Sequence, residues 1–227
     1  MTPKLKLYYF NIPGKGEPIR LFCAYAGLEL EDCRFSSRQE FLDLKEDGTL
    51  PFGQVPLLEV VEPKNGDGTQ SVHKLVQSNA ILRYLATISG QWPTNDPILA
   101  AKIDALMDQE TDMFTGTTVA TYTTRFGIIL DDENKQKCMD MIVSEVLPRH
   151  LASIERQLKA SATGWIAGTE RPTPADFIYY SKFAHYIASH DALPEKLRTL
   201  QDYPEIQKFV DKVSSLEQVK SYYAAKK

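Results

Sequence analysis

The spacing of apolar residues changes once along this chain, and that change limits the architecture more than any other feature. As far as about residue 88, short strand-like apolar stretches alternate with helix signals. From Leu99 onward the apolar spacing is helical throughout. Between the two patterns, Gly90 to Pro97 carries Trp92-Pro93, Asn95 and Pro97 and reads as a linker. The expected fold class is therefore α/β plus all-α. Residues 1–88 form a mixed-sheet domain, 89–97 connect, and 98–227 form an all-helical domain.

Within the first region, Leu5 to Phe10 reads as a buried strand. Glu17 to Ala26 reads as a helix, with Pro18 in its first turn and Gly27 as its stop. Glu31 to Phe35 is a second strand. Leu57 to Val61 and Val72 to Val76 form a hairpin pair across the turn-rich Pro63-to-Gly68 segment, and a helix capped by Ser78 runs to about Ser89. In the second region Leu99, Ile103, Leu106, Met107 and Phe114 share one helix face. Met139, Ile142, Val143, Val146 and Leu147 share another, and Pro148 kinks that helix before Leu151, Ile154 and Leu158 resume it. Ile206, Phe209, Val210 and Val213 mark a later helix.

Composition removes several functional classes. The 227 residues hold 26 Lys and Arg against 30 Asp and Glu, with no basic block, so nucleic acid is not an expected partner. No uncharged apolar run is long enough to span a bilayer. The start, Met1-Thr2-Pro3-Lys4, lacks the apolar core of a secretory signal, which points to the cytoplasm. Cys23, Cys33 and Cys138 are widely spaced, form no CxxC and make no metal-like cluster with the four histidines. Neither a metal nor a bound cofactor is expected.

Three elements carry possible chemistry. Tyr9 ends the first strand just before a Gly14-Lys15-Gly16 turn, and because Tyr8 must face the other side of the sheet, only one of the two phenols can enter a given site. Val55-Pro56 precedes a strand; a cis bond there would turn the Val55 backbone outward to pair with a peptide-like ligand. Gln77-Ser78 opens a helix whose free N–H groups suit a carboxylate. Taken singly, these are a core tyrosine, a loop proline and a helix cap. A fourth signal, Thr173-Pro174-Ala175-Asp176, is a capping box with a folding role only.

In this order, the stretches Lys-Leu-Tyr-Tyr-Phe-Asn at 6–11, Pro-Phe-Gly-Gln-Val-Pro-Leu-Leu-Glu at 51–59 and Gln-Ser-Asn-Ala-Ile-Leu-Arg-Tyr-Leu-Ala at 77–86 resemble a cytosolic glutathione transferase of the tyrosine type. Gly-Trp-Ile-Ala-Gly at 164–168 and Thr-Pro-Ala-Asp-Phe at 173–177 extend the likeness through the helical region, and the sigma class is the most similar. The resemblance implies a thioredoxin-like first domain with a four-stranded mixed sheet, a homodimer, and glutathione as co-substrate in detoxifying conjugation. It assigns Tyr9 to the glutathione sulfur and Lys15, Phe41, Lys45, Gln54, Val55, Pro56, Gln77 and Ser78 to the tripeptide. Asp112 would reach the glutathione amine of the neighbouring subunit. Gly14, Phe114, Thr118 and Tyr122, with the segment around Tyr222, would meet the apolar electrophile.

The chain departs from the sigma pattern in several places. Lys15 replaces an arginine, so a point charge stands where a planar fork is usual. Phe41 replaces a tryptophan and offers no donor. Pro13 replaces a basic residue, and Val119 lies about where prostaglandin-isomerising members carry a tryptophan. These departures keep an alternative open, a non-catalytic relative acting as a ligand carrier or crystallin-like structural protein. A glutaredoxin-like redox enzyme would need a cysteine near Tyr9 or Lys15, and neither position has one.

Overall fold

The computed structural model describes residues 3–226 except 65, 67 and 192. The turn expected across 63–68 includes Asn65 and Asp67, and the start includes Met1 and Thr2; these lie outside the described residues. Two compact units emerge, Met1–Asn95 together with Ser215–Lys227, and Asp96–Ser214. The final segment, drawn from sequence into the helical region, thus groups with the sheet.

In the first unit, β1 (Lys4–Phe10), β2 (Leu30–Phe35), β3 (Leu57–Val61) and β4 (Val72–Val76) make one sheet in the order β2-β1-β3-β4. β1 pairs parallel with β2 and antiparallel with β3, and β3 pairs antiparallel with β4. The alternation in β1 buries Leu5, Leu7 and Tyr9 on one face, as a two-residue period requires. On the same face Leu58 and Val60 of β3 pair with Leu7 and Leu5, and Ile19, Leu21 and Phe22 of α1 (Glu17–Ala26) and Ile81, Leu82 and Leu85 of α3 (Ser78–Ile88) are also buried in this unit. Each such side chain contributes roughly 1.5–3 kcal/mol through burial. α1 ends where expected, with Gly27 at φ 67° closing the cap.

The sequence reading contained no element between β2 and β3, yet α2 (Arg38–Glu46) forms there with no buried residue. Its apolar residues, Phe41, Leu42 and Leu44, fall within little more than one turn, too short a run for a periodicity argument. Its readable signal was the Ser37-x-x-Glu40 start, where Ser37 Oγ accepts from Glu40 N. The cap of α3 also differs. Gln77, not Ser78, occupies the N-cap position, at φ 70° and ψ 114°.

The second unit is helical: α4 (Pro97–Thr121), α5 (Asp132–Met141), α6 (Leu147–Ala160), α7 (Pro174–Ser181), α8 (Glu195–Arg198) and α9 (Pro204–Ser214). Just before Pro148, where a kink was expected, a π-helical turn, Ile142–Val146, joins α5 to α6. Ile103, Leu106, Met107 and Phe114 are buried on α4, as are Leu151, Ile154 and Leu158 on α6. The box at α7 forms: Thr173 N and Oγ1 donate to Asp176 Oδ2 at 2.7 and 2.8 Å, and Ile166 N donates to Asp176 Oδ1 at 2.9 Å. A last helix, α10 (Glu217–Ala224), belongs to the first unit and packs on α1.

Candidate active site

Strand register gathers the sequence candidates at one end of the sheet. Tyr8 of β1 pairs with Leu57, and Leu57 pairs with Val76 of β4. One residue beyond each partner lie Tyr9, Pro56 and Gln77. The end of β1, the start of β3 and the end of β4 therefore present these three residues along the same edge. The Val55–Pro56 bond is cis. Gln77 holds a backbone conformation that side-chain-bearing residues rarely adopt, at a cost of order 1–3 kcal/mol, and such local strain concentrates at binding sites.

Tyr9 is enclosed by the loop that follows it. The backbone N–H of Lys15 donates to Tyr9 Oη at 2.9 Å. A Cβ at Gly14, where φ is +42°, would stand 2.5 Å from that oxygen, and a Cβ at Gly16 would stand 2.6 Å from the Tyr9 ring. Both glycines are therefore needed for the loop to close on the phenol. Lys15 serves through its main chain, so having lysine in place of arginine leaves this contact unchanged.

The loop is anchored from below by Arg20, which the sequence reading passed over. Its guanidinium donates to Ile12 O at 3.0 Å and Phe10 O at 3.3 Å, pairs with Asp32 at 2.9 Å, and lies 5.7 Å from the centroid of the Tyr9 ring. Arg20 is 2% exposed and Glu17, a turn before it, also 2%. Two charged residues inside the apolar stripe of α1 were the available signal, since charges are seldom fully buried unless paired.

The remaining candidates of this unit lie on neighbouring loops and on α2. Lys45, in the last turn of α2, runs its side chain against Gly53, where an added Cβ would be 3.2 Å from Lys45 Cε. Gln54 is exposed and Val55 half-buried beside that turn. The Phe41 ring packs with Phe10 at 5.2 Å and Phe35 at 6.2 Å, an aromatic cluster at α2. Tyr222, expected near an electrophile, is carried by α10, which packs on α1; burial and the nearby Glu17 charge raise its phenol pKa. In the helical unit Asp112 and Tyr122 are exposed, Thr118 is half-buried, and Phe114 is 3% exposed with Tyr186 5.2 Å away. Phe114 is thus largely committed to the packing of its own unit.

Two of the chain's three cysteines, Cys23 and Cys33, are poor nucleophile candidates. Burial pushes the Cys23 thiol up to about 12, with Asp32 adding to the shift, and burial with Glu31 also raises Cys33. Among the described residues no three His, Cys, Asp or Glu side chains are grouped to hold a metal ion, and no helix is long and apolar enough to cross a membrane.

Comparison with known families decides the affiliation. Residues 5–87 match the model of the glutathione S-transferase N-terminal domain, and residues 112–226 match that of its C-terminal domain. The chain belongs to the glutathione S-transferase family. A glutathione S-transferase of Anopheles gambiae is 33% identical over 222 residues, 98% of this chain and 96% of the mosquito protein. Among solved structures, prostaglandin synthase D of Nilaparvata lugens is 28% identical with a TM-score of 0.76, covering 98% of both chains. Monomeric Na-GST-3 of Necator americanus is 27% identical with a TM-score of 0.73, covering 99% of this chain and 98% of the other. The four-stranded mixed sheet followed by a helical unit is the glutathione S-transferase arrangement anticipated from the motifs.

Proposed function

We propose that this glutathione S-transferase family member activates the glutathione thiol as a thiolate through Tyr9 and adds it to apolar electrophiles. The observation that carries this is the Lys15 N–H donated to Tyr9 Oη at 2.9 Å within a loop that only glycines at 14 and 16 permit. In this reading the phenol O–H donates to the sulfur of bound glutathione while its oxygen accepts from the Lys15 main chain. A thiol of pKa about 8.5 needs a downward shift of about 2 units, or about 2.7 kcal/mol, to be mostly ionised at neutral pH. One hydrogen bond to a charged acceptor supplies about 1.5–3 kcal/mol, so Tyr9 accounts for most of the shift. Buried Arg20 beside the ring adds in the same direction.

Gln77, Ser78 and the start of α3 are proposed to hold the γ-glutamyl carboxylate, Val55 and Gln54 the cysteinyl backbone, and Lys45 the glycyl carboxylate. Phe41 would contribute shape only. Gly14 borders the sulfur, while Thr118 and Tyr122 of the helical unit are proposed to meet the electrophile, with Phe114 supporting them from within. No resident cofactor takes part in this scheme. A sigma-like class, a cytoplasmic location and a homodimer in which Asp112 reaches across complete the reading. Phe52, 66% exposed in the single chain, is available to a partner subunit.

The test is steady-state conjugation of glutathione to a chloronitrobenzene by wild type and Tyr9→Phe, with the thiol pKa of bound glutathione read from thiolate absorbance. Turnover that collapses in the variant, with a raised thiol pKa, is expected. Equal thiol pKa values in the two proteins would refute the tyrosine mechanism. Tight glutathione binding without turnover in either would favour the non-catalytic alternative.

A further inference from the structure

The carboxylate of Glu17 is shared between two cations that come from opposite ends of the sequence. Arg20 Nη1 lies 3.3 Å from Glu17 Oε2, and Lys226 Nζ lies 3.0 Å from Oε1 and 3.4 Å from Oε2. The Lys226 ammonium also sits 3.9 Å from the centroid of the Tyr222 ring and 5.5 Å from that of Tyr223, both carried by α10. Asp32 of β2 is shared in the same way, by Arg20 at 2.9 Å and Arg34 at 2.7 Å. The charged and titratable groups around the Glu17–Arg20 pair are thus Asp32 and Arg34 from β2, and Tyr222 and Lys226 from the α10 segment.

A buried ion pair is weak support for stability on its own, because desolvation consumes much of the attraction. Here its geometry has a second consequence. With Lys226 balancing part of the Glu17 charge, Arg20 keeps its other N–H groups on Phe10 O and Ile12 O. Those carbonyls directly follow Tyr9 at the strand end and begin the loop that returns Lys15 N–H to its hydroxyl.

We propose that Lys226 is a positioning residue for Tyr9: by holding Glu17 it keeps Arg20 on the Phe10 and Ile12 carbonyls and beside the Tyr9 ring. The inference rests on the tyrosine mechanism above. Without the ammonium, buried Glu17 draws Arg20 toward itself, the loop carbonyls lose their donor, and positive charge recedes from the phenol. Thiol acidity then suffers while glutathione, proposed to be held chiefly at Lys45, Val55, Gln77 and Ser78, still binds.

The experiment measures the pH profile of kcat/KM for Lys226→Met, Lys226→Arg and Tyr9→Phe beside wild type, together with KM for glutathione and thermal midpoints. For Lys226→Met we expect the kinetic pKa to rise by about half a unit to one unit, kcat/KM at neutral pH to fall about three- to tenfold, and KM to stay within about twofold. Lys226→Arg restores the wild-type profile. A lowered thermal midpoint with an unmoved profile would make Lys226 merely structural and overturn the inference, as would failure of arginine to rescue. A second cycle guards against trivial misfolding: in a Glu17→Gln background, Lys226→Met is expected to be silent, and additive losses would break the proposed coupling. A profile unmoved by Tyr9→Phe sinks the tyrosine mechanism and this inference together. One moved by Tyr9→Phe but not by Lys226→Met sinks the inference alone.

Discussion

Tyr8 and Tyr9 are adjacent on one strand and carry the same phenol, yet the two faces of the sheet give them opposite chemistry. Tyr8 Oη donates to Glu59 at 3.0 Å; burial, then that bond, push its pKa up to about 12, and Glu31 and Cys33 nearby work in the same direction. Tyr9 Oη accepts a main-chain N–H, and the charged group beside its ring is a guanidinium. One hydroxyl faces a carboxylate that holds its proton, whereas the other faces a main-chain donor. Residue type therefore says little about function here, and the charge and donor pattern on each face says most of it.

The largest expected effect breaks this symmetry directly. Losing one hydrogen bond to the thiolate, worth about 1.5–3 kcal/mol, should lower kcat/KM of Tyr9→Phe by about 10- to 100-fold. Tyr8→Phe should stay within about twofold of wild type, since its hydroxyl is committed to Glu59 on the other face. Comparable losses in the two variants, measured in one conjugation assay, would mean that the faces are not distinct.

The next prediction sharpens the Tyr9 side. Gly14→Ala puts a Cβ 2.5 Å from Tyr9 Oη, in a backbone conformation that alanine adopts poorly. Because Gly14 is exposed, the protein should fold, but the loop must open away from the hydroxyl. We expect a loss of about tenfold in kcat/KM with a raised thiol pKa. Wild-type kinetics in Gly14→Ala would show that the close approach of the loop is dispensable.

How far the sequence disclosed this arrangement depends on what each part is made of. The strands and α1 were legible because their apolar periods are strong, and β3 and β4 lie at the boundaries read from sequence. The Thr173–Asp176 box was legible because capping is a local code. α2 was not, its apolar residues spanning little more than one turn, and neither was the backbone of Gln77, because Ser78 is by type the better cap. Tyr9, Pro56 and Gln77 were each visible as residues, but their meeting at one sheet edge is a matter of register, which a pattern of types does not contain. Arg20, Glu17 and Lys226 were missed for a related reason: the last pairs with the first helix across almost the whole chain.

The legible box offers a stability test of intermediate size, and a contrast with Tyr9 in which a buried acceptor is purely structural. Three donors meet the Asp176 carboxylate, and an amide supplies one acceptor, so Asp176→Asn should cost about 1–3 kcal/mol in urea unfolding. Burial raises the Asp176 pKa from 3.8 to about 6 despite those bonds. Between these values the folded state holds a proton that the unfolded chain has released, so the contribution of Asp176 falls as pH rises through that window. The deficit of the asparagine variant should therefore be larger near the lower value than at neutrality. A deficit independent of pH would place the titration elsewhere.

The smallest effect belongs to Tyr8, and it tests the quiet face. Removing its partly exposed hydrogen bond to Glu59 should cost about 0.5–1.5 kcal/mol at neutral pH, with conjugation essentially intact. The folded pKa of about 12 lies above the ordinary 10.0. Below 10.0 both states keep the phenolic proton and the contribution is whole; as pH rises toward 12 the unfolded chain ionises first and the contribution is lost. Urea midpoints of wild type and Tyr8→Phe should thus converge at about pH 11. Glu59→Gln retains an acceptor for the hydroxyl but removes the charge, so it should keep most of the neutral-pH stability while moving the alkaline transition to lower pH. If Tyr8→Phe and wild type keep the same separation from neutral to alkaline pH, the Tyr8 proton is not held by Glu59, and the contrast between the two faces loses its electrostatic basis.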